Sequence, residues 1–588
     1  MITRDQQKIE NTWKLEDIYE NETLFEQEYT LVQSYCQEFK SYEGKLSDVS
    51  CLVSAIQCYE KINYYFGRVY VYANQRNHQD ASNSKYQAMS AKAQLLAVEL
   101  SQSTSWFEPE VLTLNNLDAP ELKPYTRFLQ SIIRQKDHVL DAKTEELLAK
   151  ASDLASSPDD IFSMFNNADI RFEDCVDEKG NTYPLTQGTY ISYMESKDRT
   201  LRKSAFDNLY KVYGQFNNSL SAMYYANCKA SNFFSKEHKF ENTLQSELFS
   251  NEIPYDVYDN LISTIHNHFD SMHEYVSLRK EILSYDQLHM YDFYVPLSKC
   301  DSHYTFEQAK EIVLKGLAPL GQDYLDLLQE GFDNRWIDVY ENQGKRTGAY
   351  SWGCYGTHPY VLLNYNNTLN DVFTLAHEMG HALHTYYSNS NQSILDSDYR
   401  IFVAEVASTC NESLLIQYLL KESKDKDEKI YLLNYFLDQF KSTMYRQTMF
   451  AEFEKITHEM VSHNEVLTAE TLNTIYLDLN KKYYGNDIVV DSQIQYEWSR
   501  IPHFYTPFYV YQYATSFAAA IAISTKILNH EDGIVEKYKT FLKGGCSQSP
   551  IDLLKICGID MSKPDAIDQA LLVFKDYIHQ LEDLIHEN

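Results

Sequence analysis

Residues that break helices are scarce along this chain. It contains 18 glycines and 13 prolines among 588 residues, about 5% together against roughly 12% in average proteins. Glycine and proline are the residues that most strongly disfavour the interior of an α-helix. The sequence therefore predicts a mainly α-helical protein.

The length sets the expected number of compact parts. A chain of 588 residues exceeds what one hydrophobic core usually organises, so two or more lobes are expected. Between residues 11 and 193, apolar side chains recur at the three- and four-residue spacing of helices, with little glycine. We place a boundary near residue 195, which predicts an N-terminal helical lobe at 1–195 and a second domain at 196–588.

The charge of the chain argues against two classes of partner. Its formal net charge is -32, whereas binding to nucleic acid or to an anionic membrane surface needs clustered Lys and Arg. The longest run of small apolar residues, at 517–523, falls far short of the ~20 residues that span a bilayer and predicts a buried helix. We expect neither nucleic acid nor a membrane as partner.

The cysteines and the N-terminal residues indicate a compartment. Residues 1–17 carry charges throughout and lack the apolar core of a signal peptide. The ten cysteines are scattered and form no CxxC pair, which suits reduced thiols better than a disulfide framework. We expect a cytoplasmic protein.

The clearest β signal lies at 344–367. Gly348, Gly353 and Gly356 precede the apolar run 360–365, a pattern typical of a strand. A strand here can offer backbone groups to an extended peptide, and an ordinary buried strand remains the alternative. Two smaller signals are a turn or hairpin at 174–181 and a helix start with a capping box at Thr305.

The strongest chemical signal is His377-Glu378-Met379-Gly380-His381 within a helical pattern. Residues four apart share a helix face, so the two imidazoles can bind one metal ion at ~2.0–2.1 Å. Glu378 then occupies the position from which a general base reaches a water molecule at the metal. The alternative is that both histidines are ordinary core residues with hydrogen-bond partners.

A catalytic zinc needs a third protein ligand and an open position. His384 lies seven residues after His377, a rise of ~10.5 Å along a helix, whereas ligands of one zinc lie within roughly 4 Å of each other. We therefore expect His384 to be a packing residue or to support a ligand. Glu405, in the helical segment 402–409, is the better candidate for the third ligand. Most glutamates are solvated, so other glutamates of this region remain alternatives.

The segments 377–384 and 404–409 together resemble the thimet oligopeptidase-like zinc metallopeptidases, and within them the oligoendopeptidase F group. Further similar segments cover most of the second domain and extend to the N-terminal region of the chain. They are 13–19, 347–351, 359–365, 501–505 and 541–551.

The resemblance implies a fold and a substrate class. The expected fold has two helical lobes that enclose a deep substrate channel, with a small β-sheet near the zinc site, and 196–588 becomes the catalytic metallopeptidase domain. The expected substrates are short peptides, with Gly348, Tyr350 and Tyr505 as binding residues. Glu405 becomes the third ligand of a single zinc ion.

The resemblance also implies a His and Tyr cluster that stabilises the oxyanion, in the stretch 503–513. We assign His503 to it, together with Tyr509 or Tyr513, because a neutral phenol is a sound hydrogen-bond donor. Thr506 and Pro507 have the pattern of an N-cap and a first helical residue, which predicts both tyrosines on one helix face. With 48 tyrosines in the chain, the choice between them stays open.

These features predict a zinc-dependent endopeptidase in which Glu378 is the general base. Glu412, about two turns beyond Glu405, can orient a ligand histidine, and an ion pair or a solvated position is equally open to it. The alternative functions are a metallo-exopeptidase on a related helical fold and a catalytically silent, helical peptide-binding protein.

Overall fold

The computed structural model describes residues 2–115, 117–298 and 303–587. Most of these residues lie in α-helices, and the sheets have only two or three strands each. The predicted mainly helical fold is confirmed. In chain order the helices are α1 (Glu22–Lys40), α2 (Val49–Gln79), α3 (Ser84–Thr104), α4 (Phe107–Leu112), α5 (Thr126–Ile133), α6 (Ala142–Ala155), α7 (Ser157–Met164), α8 (Gln187–Met194), α9 (Arg199–Gln215), α10 (Asn217–Glu237), α11 (Thr243–Ser250), α12 (Tyr255–Asn267), α13 (Phe269–Ile282), α14 (Phe306–Gly316), α15 (Gln322–Asp333), α16 (Leu369–Asn391), α17 (Ile401–Glu422), α18 (Lys426–Gln439), α19 (Arg446–Ser462), α20 (Ala469–Tyr484), α21 (Tyr511–Leu528), α22 (Ile534–Leu542), α23 (Pro550–Ile556) and α24 (Asp565–His586).

The chain divides into two compact units, and each unit is built from three segments of sequence. The first unit comprises residues 1–137, 302–418 and 523–559, and the second comprises 138–301, 419–522 and 560–588. The division of the chain into 1–195 and 196–588 stays a prediction about domains.

The strands form three small sheets. An antiparallel hairpin occupies the place predicted at 174–181, and the apolar run at 360–365 contains a strand as expected. The strands are β1 (Cys175–Val176), β2 (Thr182–Tyr183), β3 (Leu288–His289), β4 (Ile337–Asp338), β5 (Tyr350–Trp352), β6 (Tyr360–Leu362) and β7 (Ile488–Val489).

The three-stranded sheet of the first unit has the order β4-β6-β5. The central strand β6 pairs in parallel with β4 and antiparallel with β5. Aromatic side chains from the N-terminal helices pack against it, and Trp13 meets Tyr360 edge-on at 6.3 Å between ring centroids. Since β6 ends only a few residues before α16, this packing fixes the sheet beside that helix.

Two further predictions on helices are confirmed. Thr305 caps α14 with the expected capping box to Gln308, and the run 517–523 lies buried within α21. In the described part of the chain, no helix combines the length and the apolar character needed to cross a bilayer.

Candidate metal centre

The motif His377-Glu378-Met379-Gly380-His381 lies in the middle of α16. The helix begins in a capping box, in which the Thr368 hydroxyl accepts from the Asp371 N–H at 3.2 Å and the Asp371 carboxylate accepts from the Thr368 N–H at 2.9 Å. Apolar side chains on both sides of the motif are buried, which anchors the helix in the first unit. They are Val372, Phe373, Leu375, Ala376, Met379, Ala382 and Leu383.

Three candidate ligand atoms converge beside this helix. The Nε2 atoms of His377 and His381 are 3.2 Å apart, and each lies 3.4 Å from Oε2 of Glu405 on α17. Ligand atoms placed tetrahedrally around an ion at 2.0–2.1 Å are separated by roughly 3.3–3.4 Å. Two imidazoles and one carboxylate at this spacing therefore fit a single metal ion.

A close approach of α16 and α17 brings Glu405 to the histidines. A Cβ atom added at Gly380 would lie 2.6 Å from the Cα of Ser408 and 2.9 Å from the carbonyl oxygen of Ala407. The buried Asn411 side chain also donates a hydrogen bond to the carbonyl of Ala376 at 3.0 Å. Because Ser408 lies one turn from Glu405, the absence of a side chain at Gly380 sets the position of this third candidate ligand.

The charges of the candidate ligands favour a cation between them. Burial raises the pKa of Glu405, but hydrogen bonds from His377 and His381 hold that pKa well below its usual range. Burial lowers the pKa of His377, but Glu412 and Glu405 raise it well above its usual value. A positive charge between the imidazoles and the carboxylate is thus stabilised here.

Glu412 fixes the orientation of the first histidine. Its Oε1 lies 2.5 Å from Nδ1 of His377, so Nδ1 donates to this carboxylate and Nε2 is the ring atom that faces His381 and Glu405. Of the alternatives named for Glu412, this contact fits both the ion pair and the support of a candidate ligand histidine, and not the solvated position. It also lies on α17, seven residues or about two turns beyond Glu405.

We expect Glu412→Gln to weaken metal binding about 10- to 100-fold, which is typical for loss of a carboxylate behind a ligand histidine. The amide keeps the shape of the side chain but removes the negative charge next to His377. Competition with a chromogenic chelator measures the affinity, and an unchanged dissociation constant would contradict this role.

Glu378 lies on the same helix with 7% of its surface exposed. Burial raises the pKa of its carboxyl group, and the charges of His377 and His381 lower it. A buried carboxylate with a raised pKa beside a metal site is suited to accept a proton from a water molecule.

His384 does not join the ligand set. It is 1% exposed, its ring stacks on Tyr399 at 3.8 Å between centroids, and burial lowers its pKa to about 3. Tyr399 also makes a hydrogen bond of 2.9 Å with Thr385. His384 is thus a packing residue, as expected, and it holds the segment that leads into α17.

Two of the predicted peptide-binding residues lie at the sheet next to α16, with Tyr350 as the first residue of β5 and Gly348 two residues before it. Gly348 has a φ of +83° and open space around the position of a Cβ, and it lines a cavity of about 320 Å³ together with Asn364 and Asp371. The hydroxyl group of Tyr350 lies 2.7 Å from Nδ1 of His78. The hydroxyl group of Tyr350 is therefore engaged within the unit.

The predicted oxyanion residues lie in the second unit and are close together. The His503 ring lies 5.9 Å from that of Tyr509 and 6.0 Å from that of Tyr513, and the two tyrosine rings are 5.4 Å apart. The Tyr513 hydroxyl is 3.5 Å from Nε2 of His503. Partial loss of solvent lowers the pKa of the otherwise exposed His503, which favours the neutral imidazole.

Tyr505 differs from these three residues in its surroundings. Its ring stacks on Phe162 of α7 at 4.4 Å, and burial raises its pKa. The helix start predicted at Thr506 and Pro507 is wrong, because α21 begins at Tyr511 and Phe508 adopts a left-handed conformation with a φ of +55°.

Sequence reasoning missed three residues that shape the metal centre. Gly380 stands inside the motif, so its position there was a usable signal. Asn411 and Tyr399 have no local signal, because each acts through a contact with α16 that only the tertiary structure creates.

Comparison with known proteins extends over nearly the whole chain. Residues 192–572 match the model of peptidase family M3, and residues 113–172 match the model described as oligopeptidase F. Oligopeptidase PepF of Bacillus subtilis is 44% identical over 591 residues, which cover 99% of this chain and 88% of that protein.

Two solved structures are similar in both sequence and fold. A crystal structure of oligoendopeptidase F from Enterococcus faecium is 35% identical with a TM-score of 0.75, covering 96% of this chain and 99% of its own. A crystal structure from Chlamydophila abortus is also 35% identical, with a TM-score of 0.94 and coverage of 99% and 100%.

Proposed function

The chain belongs to peptidase family M3, and from this premise we propose that it is a zinc-dependent endopeptidase that hydrolyses internal bonds of short peptides. The observation that carries the proposal is the spacing of 3.2–3.4 Å among the ligand atoms of His377, His381 and Glu405. Two imidazoles and a carboxylate with an open fourth position are the usual ligand set of a hydrolytic zinc site.

Glu378 moves the proton in the proposed reaction. When bound, zinc lowers the pKa of a coordinated water molecule and polarises the scissile carbonyl. The Glu378 carboxylate accepts the proton of the attacking water and then donates it to the leaving amine. Its burial supports this role, because a raised pKa brings a carboxyl group closer to neutral pH, where it can both accept and donate.

His503 and a neighbouring tyrosine serve as donors to the oxyanion that develops on the scissile carbonyl. The neutral imidazole and the two phenols each carry one polar hydrogen, and preorganised donors of this kind are worth about 10²–10³-fold each in kcat. Their mutual distances support a shared role, since three polar rings of the second unit lie within 6.0 Å of one another.

The edge of β5 is the proposed binding site for the peptide backbone. One side of β5 pairs with β6, and the other side has no strand partner among the described residues. An extended peptide can add to such an edge through main-chain hydrogen bonds. Gly348, at the start of this edge, leaves space for a substrate side chain, and Tyr505 is proposed as a further contact.

We propose a cytoplasmic location for the enzyme. In the part of the chain that the structure describes, the nine cysteines form no disulfide bond, which suits a reducing compartment.

The test is digestion of a peptide blocked at both ends, with about ten residues that span up to ~33 Å when extended. The zinc-loaded protein should release internal fragments, a chelator should stop the reaction, and added zinc should restore it. Cleavage only of peptides with a free terminus would indicate an exopeptidase. An intact peptide despite stoichiometric zinc would indicate a silent peptide-binding protein.

A further inference from the structure

A buried carboxyl group of the second unit remains unexplained by the reaction. Glu454 lies on α19 with none of its surface exposed. Its Oε1 accepts a hydrogen bond from the backbone N–H of Phe508 at 2.9 Å, and its Oε2 has no hydrogen-bond partner among the described residues. An apolar side chain would suit such a site better if stability alone mattered.

The N–H that Glu454 holds belongs to a backbone position of unusual geometry. Phe508 has a φ of +55°, a left-handed conformation that is costly for a bulky residue and persists only where the surroundings enforce it. The Phe508 ring is buried between Tyr258 and His458, at centroid distances of 5.7 and 4.8 Å. The ring packing and the Glu454 bond thus fix this residue from both its side chain and its backbone.

The left-handed residue determines where the proposed oxyanion donors lie. The chain makes a turn in which Thr506 donates to the carbonyl of His503, passes through Phe508, and enters α21 at Tyr511. Tyr509 therefore stands directly after the constrained position. Its ring stacks beside His503 at 5.9 Å and meets Tyr513 edge-on at 5.4 Å.

We propose that Glu454 is a positioning residue for the peptidase reaction, because its bond to the Phe508 N–H holds the turn that places Tyr509 beside His503 and Tyr513. This proposal rests on the proposed function, since it assumes that the three rings act on the scissile carbonyl. Glu454 acts through the backbone and does not touch the reacting atoms.

The surroundings of Glu454 favour its neutral, protonated form. Burial raises its pKa well above the usual value, and the hydrogen bond from Phe508 lowers it only in part. Burial also raises the pKa of the neighbouring Glu247 to about 7, and lowers that of His458 to about 3. Titratable groups that interact with the carboxyl are Glu247 of α11, Tyr224 and Cys228 of α10 and Tyr258 of α12. His458 of α19 packs on the Phe508 ring.

Two substitutions separate the hydrogen bond from the charge. Glu454→Gln keeps the shape and the acceptor oxygen of a neutral acid, so kcat should stay within about threefold of wild type. Glu454→Met fills the same space without an acceptor and should lower kcat about 10- to 100-fold, as expected when catalytic donors are displaced by up to ~1 Å. KM should change little, because donors to the oxyanion act mainly in the transition state.

A matched control accounts for loss of stability alone. Met449→Ala removes a fully buried side chain from the same helix, so it should lower the melting temperature while kcat per folded, zinc-loaded molecule stays unchanged. A phosphinic peptide that mimics the tetrahedral transition state should bind Glu454→Met more weakly by the same factor as the loss in kcat. The affinity of Glu454→Met for the substrate should stay close to that of the wild type.

Several results would overturn the proposal. Wild-type kcat in Glu454→Met would exclude a positioning role, and an equal loss in Glu454→Gln would show that an ionised carboxylate is required. Hydrogen exchange can be measured on the wild-type protein, so this test does not depend on whether a variant folds. An unprotected Phe508 amide would show that its hydrogen bond to Glu454 is not formed. A wild-type protein that binds zinc without cleaving peptides would refute the proposed function itself, and the positioning role with it.

Discussion

Replacing Glu378 by glutamine is expected to leave zinc bound and to lower kcat by at least about 10³-fold, which corresponds to roughly 4 kcal/mol of lost transition-state stabilisation. The amide has the same shape as the carboxylate but cannot accept a proton at neutral pH. The ligand atoms of His377, His381 and Glu405 remain in place, so metal affinity should change little. Single-turnover cleavage of the blocked peptide and zinc analysis of the purified protein measure the two quantities.

The control for this variant is the same chemical change at another partly buried carboxylate of the first unit. Glu28 accepts hydrogen bonds from Tyr19 at 2.6 Å and from Arg68 at 3.1 Å. Glu28→Gln should therefore lower the melting temperature and leave kcat per folded molecule intact. If Glu378→Gln retained turnover with zinc bound, another group would have to be the general base.

The local parts of the site were predictable from the sequence. The His377-to-His381 spacing and the capped start of α16 depend on residues within a few positions of each other, and so does the strand at 360–362. Hydrogen bonds and side-chain periodicity within one segment decide such elements. For this reason the helix, the strand and two of the ligand positions could be stated before the fold was known.

The start of α21 could not be predicted in the same way. Proline after threonine is a common helix start, and the local signal at Thr506 and Pro507 was therefore reasonable. The Phe508 N–H instead donates a hydrogen bond to Glu454, 54 residues earlier in the sequence. A tertiary hydrogen bond overrides the local preference here and delays the helix to Tyr511.

The third ligand and the compact units also depend on distant contacts. The sequence favours Glu405 over other glutamates and the resemblance implies it as the third ligand, but only the packing of α17 against α16 brings it to the histidines. The two units interleave along the chain. Periodicity reports which face of a helix is buried but does not say which helix covers it.

Gly380→Ala is expected to disrupt the metal centre without changing any ligand. The added Cβ would lie 2.6 Å from the Cα of Ser408 and 2.8 Å from its nitrogen, and backbone atoms cannot rotate away as a side chain can. To relieve the clash α17 must shift by on the order of 1 Å, whereas ligand distances tolerate about 0.2 Å. We expect zinc affinity to fall at least about 100-fold and peptide cleavage at limiting zinc to be lost.

Gly67→Ala is the matched control, because it adds the same methyl group to the interior of another helix. At Gly67 the nearest atom to the new Cβ is the Cβ of Cys354 at 3.7 Å, an ordinary packing distance. Alanine there should stabilise α2 by up to about 1 kcal/mol through its helix propensity, with zinc affinity and kcat unchanged. At Gly380 the same methyl group should instead destabilise the protein, because overpacking costs about 1–3 kcal/mol. Wild-type zinc affinity in Gly380→Ala would mean that the approach of α17 does not set the position of Glu405.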